Sequence, residues 1–152
     1  SNKARAVARY ADVVHSIDRP KLVGALARGR AEVAGAGDPL PLDCLVQVSL
    51  DPPERHEHRG GLVPDQVPAL AEVIAGHDLL RLRGVMGVAP LGDDPQAAFG
   101  RLAEVAGRVR AVVPGADWVS AGMSGDLEAA IAQGATHVRV GSAILGTRPT
   151  PR

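Results

Sequence analysis

Two stretches near the C-terminus carry donors at spacings suited to holding an anion. The first reads Ser120-Ala121-Gly122-Met123-Ser124-Gly125-Asp126-Leu127-Glu128. The second reads Gly134-Ala135-Thr136-His137-Val138-Arg139-Val140-Gly141-Ser142-Ala143-Ile144-Leu145-Gly146. Ser124 falls where an apolar, strand-like run gives way to a helical one, so its hydroxyl can cap the helix while the free N–H groups of the first turn face outward. Such a terminus favours an anion through its donors and its dipole. Gly141-Ser142 repeats the arrangement after the next apolar run. Glycine lets a ligand approach the backbone, and serine adds a hydroxyl. Together they describe a compact phosphate cup at two neighbouring strand ends. The plain alternative is a helix cap at Ser124 and an ordinary turn at Gly141-Ser142. Arg139 lies inside the apolar run 138–140, where a guanidinium is costly unless it is paired with an acid or faces a ligand.

Alternating short β-rich runs and longer helical patterns must position these residues. Strands are predicted at 13–17, 44–50, 82–88, 118–120 and 137–140. A helix capped by Asp18 follows the first, with Pro20 in its opening turn and Leu22, Val23 and Leu26 on one face. Another starts near Pro64, shows Val63, Val67, Leu70 and Ile74 at helical spacing, and ends at Gly76. A long helix carries Phe99, Leu102, Ala106, Val109 and Val113 and stops at Pro114-Gly115. A short helix spans 124–133 and closes at Gly134. Residues 35–41, 51–61 and 89–95 read as loops. About five strands alternating with helices imply an α/β fold with a parallel sheet and right-handed crossovers. That is either an open doubly wound sheet or part of a (β/α)8 barrel, since a whole barrel needs about 250 residues and this chain has 152.

Composition narrows the function. Hydrophobic residues make up 45% of the chain but aromatics only 2%, so the core must be aliphatic. Lys+Arg and Asp+Glu both number 17, leaving no basic field for nucleic acid or an anionic membrane. No apolar run approaches the roughly 18 residues of a membrane span, and the opening SNKARAVARY does not read as a signal peptide. The single cysteine, Cys44, sits in an apolar run without an adjoining histidine and reads as a buried small hydrophobe in a reducing cytosol. His56-Glu57-His58 suits a solvated loop better than a metal site, because no third ligand lies nearby. Asp126 and Glu128 fit the first turn of a helix, and Asp93-Asp94 reads as ordinary loop charge.

The pattern GMSxDxExAIxxGxTxVRxGxxIxG, from Gly122 to Gly146, resembles the signature of the YggS-type pyridoxal phosphate homeostasis proteins. Ser1-Asn2-Lys3, His15-Ser16-Ile17-Asp18-Arg19, Leu45-Val46-Gln47-Val48-Ser49 and Leu82-Arg83-Gly84-Val85-Met86 resemble further segments of that family, so the likeness covers essentially the whole chain. It implies a fold similar to the barrel domain of alanine racemase, here its C-terminal portion of about five βα units in one partial domain spanning 1–152. It also implies pyridoxal 5′-phosphate as cofactor, with Ser124, Gly141 and Ser142 around the phosphate, Arg139 at the pyridine nitrogen, Met86 against the ring and Met123 beside the phosphate serine. Core filling is the alternative for both methionines. An arginine at the ring nitrogen weakens the ring as an electron sink, so aminotransferase chemistry is not expected.

Two departures qualify the resemblance. The family's lysine that bonds the cofactor aldehyde precedes the segment matching Ser1-Asn2-Lys3, and neither Lys3 nor Lys21 takes its place. Arg59-Gly60-Gly61 stands where many members have Lys-x-Gly. The reading is a non-catalytic cytoplasmic carrier, monomeric when intact, that hands the cofactor to apo-enzymes. The alternatives are a racemase-like enzyme and a fragment without independent activity.

Overall fold

The computed structural model describes residues 3–33, 40–52 and 60–146. A short helix α1 (Ala4–Val7) precedes β1 (Val13–Ile17), α2 (Pro20–Ala31) and β2 (Leu42–Val48). A 3-10 turn at Pro64–Gln66 leads into α3 (Val67–Ala75), followed by β3 (Leu80–Gly87), α4 (Pro95–Val112), β4 (Trp118–Ser120), α5 (Leu127–Ala132) and α6 (Ser142–Leu145). The four strands form one parallel sheet in the order β1-β2-β3-β4. This is the α/β arrangement expected from the alternation of patterns, with helices α2, α3 and α4 as crossovers.

Side chains alternate across the pleat, and the two faces of the sheet differ. Cys44, Val46 and Val48 of β2 and Leu80, Leu82 and Val85 of β3 join one aliphatic core. That core takes Val23 and Leu26 from α2, Val67, Leu70 and Ile74 from α3, and Phe99, Leu102, Ala106 and Val109 from α4. The opposite face carries Asp43, Gln47, Arg81, Met86, Trp118 and Ser120, placed together by register: Asp43 opposite Arg81, and Gln47, Met86 and Ser120 in one row. Arg81 forks onto Asp43 with contacts of 2.5 and 3.0 Å. Arg83 is the extra residue of a bulge between Leu82 and Gly84, and its guanidinium lies 4.3 Å from the Trp118 ring centre.

This second face is concave. Strands β1 and β4 stand three inter-strand steps apart, roughly 14 Å in a flat sheet. Yet His15 Nδ1 on β1 lies 3.0 Å from Ser120 Oγ on β4. Side chains rising from a flat sheet would stay parallel; only a curled one brings them together. Close approach of β3 to β4 depends on Gly84, whose φ is +151° and where a Cβ would sit 1.9 Å from the Trp118 carbonyl oxygen.

Several local expectations are corrected. The predicted strand at 137–140 reduces to a single parallel bridge between Ser120 and His137. Its partner β4 is three residues long and turns away at Gly122, φ +90°, although Ala121 N still donates to His137 O and Arg139 N to Gly122 O. Asp18 does not cap α2: Arg19 holds the cap position in extended conformation, and the Asp18 carboxylate accepts from Arg19 Nη1 at 2.6 Å. Asp94 is more than loop charge, because its Oδ1 accepts from Gln96 N at 3.0 Å and caps α4. The loop predicted at 89–95 therefore ends before Pro95, which is the first residue of that helix. The segment His56-Glu57-His58-Arg59 and most of the loop at 35–41 lie outside the described residues.

Candidate functional site

The loops that follow β4 and the Ser120–His137 bridge lie side by side. Ser124 was expected to cap its own helix, but α5 begins three residues later at Leu127. Residues 123–126 instead form a turn, in which Asp126 N donates to Met123 O at 3.2 Å and the Asp126 carboxylate accepts from Met123 N at 2.6 Å. This frees the Ser124 hydroxyl for the neighbouring loop, where its Oγ accepts from Ala143 N at 3.2 Å. Ser124 and Gly141-Ser142, eighteen positions apart in sequence, are therefore joined as one rim. Gly141 opens the helical turn Ser142–Leu145. A Cβ at Gly125 or Gly141 would meet nothing within 4 Å, so the backbone on both loops is accessible. Among the described residues, no acceptor receives the N–H groups of Ser124, Gly125, Gly141 or Ser142. These donors, with two hydroxyls, are what an oxyanion needs.

Arg139 lies deeper. Its Nη1 donates to Ser120 Oγ at 2.7 Å and its Nη2 to the Gly87 carbonyl at 3.2 Å. No acid forms an ion pair with it among the described residues, so the structural alternative of an acid-bridged arginine is not what holds it. Burial lowers its pKa from the ordinary value, against the attraction of Asp126; it remains a cation at neutral pH. A guanidinium has five N–H donors, and two contacts leave the others for a ligand. The Gly87 contact brings Arg139 beside Met86, which is buried on the concave face opposite Ser120. Met123 sits on the rim, 40% exposed, and lines a groove of about 400 Å³ with Ala89, Leu91, Asp93 and Asp126. A larger cleft of about 530 Å³, between the end of β2 and the start of α3, contains none of the predicted site residues.

Two polar residues that the strand patterns concealed complete the cluster. Ser120, fully buried, touches both Arg139 and His15. The pKa of His15 is lowered below 6.5 by burial first, then by Arg139 and His137. The signal available in the sequence was a polar residue inside each short strand: His15 beside Ser16 in β1, and Ser120 closing β4. His137 packs on Trp118, with ring centres 4.4 Å apart. The lysines stand apart: Lys3 precedes α1 and Lys21 lies on α2, both exposed. Cys44 is buried as expected, and burial pushes its thiol up to about 12, with Asp43 adding to the effect. No helix among the described residues is long and apolar enough to cross a membrane.

Known proteins resemble this chain in sequence and in fold. Residues 1–149 match the family described as alanine racemase, N-terminal domain. A pyridoxal phosphate homeostasis protein of Corynebacterium glutamicum is 44% identical over 151 residues, covering 98% of this chain and 67% of that protein. Its counterpart in Mycobacterium tuberculosis is 44% identical over 153 residues, covering 97% and 57%. The chain thus spans between 57% and 67% of the length of these two relatives. Among solved structures, PipY of Synechococcus elongatus without PLP superimposes with a TM-score of 0.82 at 32% identity, over 96% of this chain and 66% of PipY. The PLP-bound PipY gives 0.81 at 30%, over 95% and 66%. D-threonine aldolase of Filomicrobium marinum, at 19% identity over 99% of this chain and 44% of the aldolase, shares the fold with a TM-score of 0.71. The chain belongs to the alanine racemase N-terminal domain family, among its pyridoxal phosphate homeostasis proteins.

Proposed function

We propose that this chain binds pyridoxal 5′-phosphate reversibly and does not turn it over. The observation that carries this reading is the pairing of an accessible, donor-rich rim with a buried arginine that no acid neutralises. In it, the phosphate lies between Ser124 and Gly141-Ser142, Arg139 meets the pyridine nitrogen, Met86 lies against the ring and Met123 edges the opening. The residues suit the group chemically. Free N–H groups and hydroxyls match phosphate oxygens, and a guanidinium is a donor without a removable proton. When bound, the cofactor supplies electron withdrawal to an attached amine. Arg139 opposes protonation of the ring nitrogen and so limits that withdrawal. PipY has been solved with PLP bound, and the curated relatives are named for homeostasis of the same cofactor.

The concave polar face of the sheet is the inner wall of a (β/α)8 barrel, in this reading, and residues 1–152 form its C-terminal arc. A racemase would need a lysine at the cofactor aldehyde and a second base. Lys3 and Lys21, the chain's two lysines, lie outside the site. Delivery to apo-enzymes, a cytoplasmic setting and a monomeric state of the intact protein complete the proposal.

Trp118 is the single tryptophan, and quenching of its emission by added cofactor measures binding. Ser124→Ala removes one donor and is expected to weaken binding about ten-fold or more, as for one hydrogen bond to a charged group. Pyridoxal, which lacks the phosphate, is expected to bind weakly to both proteins. Equal affinity of the parent chain for pyridoxal and its phosphate would sink the reading, as would racemisation of alanine by the purified chain.

A further inference from the structure

We infer that Ser120 and His15 are positioning residues: together they aim the Arg139 guanidinium at the ring nitrogen of the bound cofactor. The inference rests on the proposed site and adds to it two residues from different strands.

The direction of the hydrogen bonds follows from what each group can do. Arg139 Nη1 has only protons to offer, so at 2.7 Å it donates and Ser120 Oγ accepts. Ser120 is fully buried, and its own proton needs an acceptor, since an unmatched buried donor is costly. His15 Nδ1, at 3.0 Å, is that acceptor. Were His15 to donate through Nδ1 instead, the Ser120 proton would have no acceptor among the described residues. His15 therefore carries its proton on Nε2 and presents a lone pair to Ser120. Burial and the neighbouring Arg139 and His137 favour that neutral form. The chain of donors runs in one direction, from Arg139 through Ser120 to His15, across the concave face from β4 to β1. The second guanidinium nitrogen is fixed by the Gly87 carbonyl at 3.2 Å. Two anchors, one on β4 and one at the end of β3, define the plane of the guanidinium. The donors they leave unused lie in that plane. With the Ser120 anchor lost, the guanidinium can swing about the Gly87 contact. An arginine that merely fills space would need neither a buried hydroxyl nor a histidine behind it.

The test is selectivity for the ring nitrogen. Binding of pyridoxal 5′-phosphate is compared with binding of its carbocyclic analogue, in which C–H replaces that nitrogen, both followed by quenching of Trp118. The parent chain is expected to prefer the natural cofactor by about ten-fold, the worth of one charge-assisted hydrogen bond. Ser120→Ala and His15→Leu are expected to reduce this preference to about two-fold, with the loss falling more heavily on the natural cofactor than on the analogue. His15→Asn, which keeps an acceptor at the δ position, is expected to restore most of the preference. Should Ser120→Ala fail to fold, as judged by a lost cooperative urea transition, the two His15 variants carry the comparison alone. A merely structural role would weaken both ligands equally and preserve the ten-fold ratio, and that outcome overturns the inference while leaving the site intact. A parent chain that shows no preference, or binds neither ligand, overturns the placement of Arg139 at the ring nitrogen and this inference with it.

Discussion

Replacing Gly84 by alanine probes the contact that holds the concave face together. The added Cβ would lie 1.9 Å from the Trp118 carbonyl oxygen, 2.7 Å from its carbon and 2.9 Å from the Trp118 nitrogen. All three atoms belong to the backbone, so no side chain can rotate out of the way. Overpacking of this kind costs about 1–3 kcal/mol, and holding an L-residue in such a sparsely populated conformation adds about 1–3 kcal/mol. The expected loss is therefore about 2–6 kcal/mol, a large share of the roughly 5–15 kcal/mol that stabilises a folded domain. The ladder between β3 and β4 has only three paired positions: Gly84 with Trp118, Val85 with Val119 and Met86 with Ser120. Displacement at the first shifts Met86 away from Ser120. Urea unfolding followed by Trp118 emission measures the loss. Gly107→Ala is the matched control. Gly107 lies in the interior of α4, where a Cβ would meet nothing within 4 Å, and the substitution is expected to stabilise by about 0.5–1 kcal/mol. A Gly84→Ala protein within about 0.5 kcal/mol of the parent, with an unchanged urea slope, would refute the claim that close strand approach sets this site.

Acid should destabilise the fold through His15. Its folded pKa lies below the ordinary 6.5, so as pH falls through 6.5 the unfolded chain takes up a proton first. Its stabilising contribution is complete above 6.5 and is lost as pH falls toward the lower folded value; His15→Asn should flatten this part of the urea-stability profile, and an unaltered profile would count against the assignment. Cys44, with its thiol pushed up to about 12, is about one part in 10,000 thiolate at pH 8. A disulfide reagent should label it slowly in buffer and promptly in urea, and prompt labelling in buffer would contradict its burial. Asp94→Ala removes the cap of α4 and should cost about 1 kcal/mol, measured by the urea midpoint.

Periodicity made most of the architecture legible. The β4 strand at Trp118–Ser120 and the buried face of α4 match the sequence reading: Trp118 and Val119 open the short strand, and Phe99, Leu102, Ala106 and Val109 recur at the helix period. Capping was less legible. Asp18, Asp94 and Ser124 are all plausible caps by type, but the outcome depended on which backbone N–H lay within reach: Asp94 found Gln96, Asp18 turned to Arg19, and Ser124 reached across to Ala143. That last contact spans 19 residues and leaves no trace in local spacing. Resemblance implied roles for the rim and for Arg139, yet gave none to His15, which lies in a matching segment, or to Ser120. Their meeting arises from the curl of the sheet, a property of all four strands together.

The tie between Ser124 and Ala143 has a kinetic side. A serine hydroxyl offers one proton and two lone pairs. With one lone pair engaged by Ala143 N, its rotor is already narrowed before any guest arrives. Ordering such a side chain on association would otherwise cost up to about 1 kcal/mol. In the proposed binding mode, an anion entering between the two loops would meet a hydroxyl already on station, so capture would need no rearrangement there and the residence time would be set by how firmly the rim holds on.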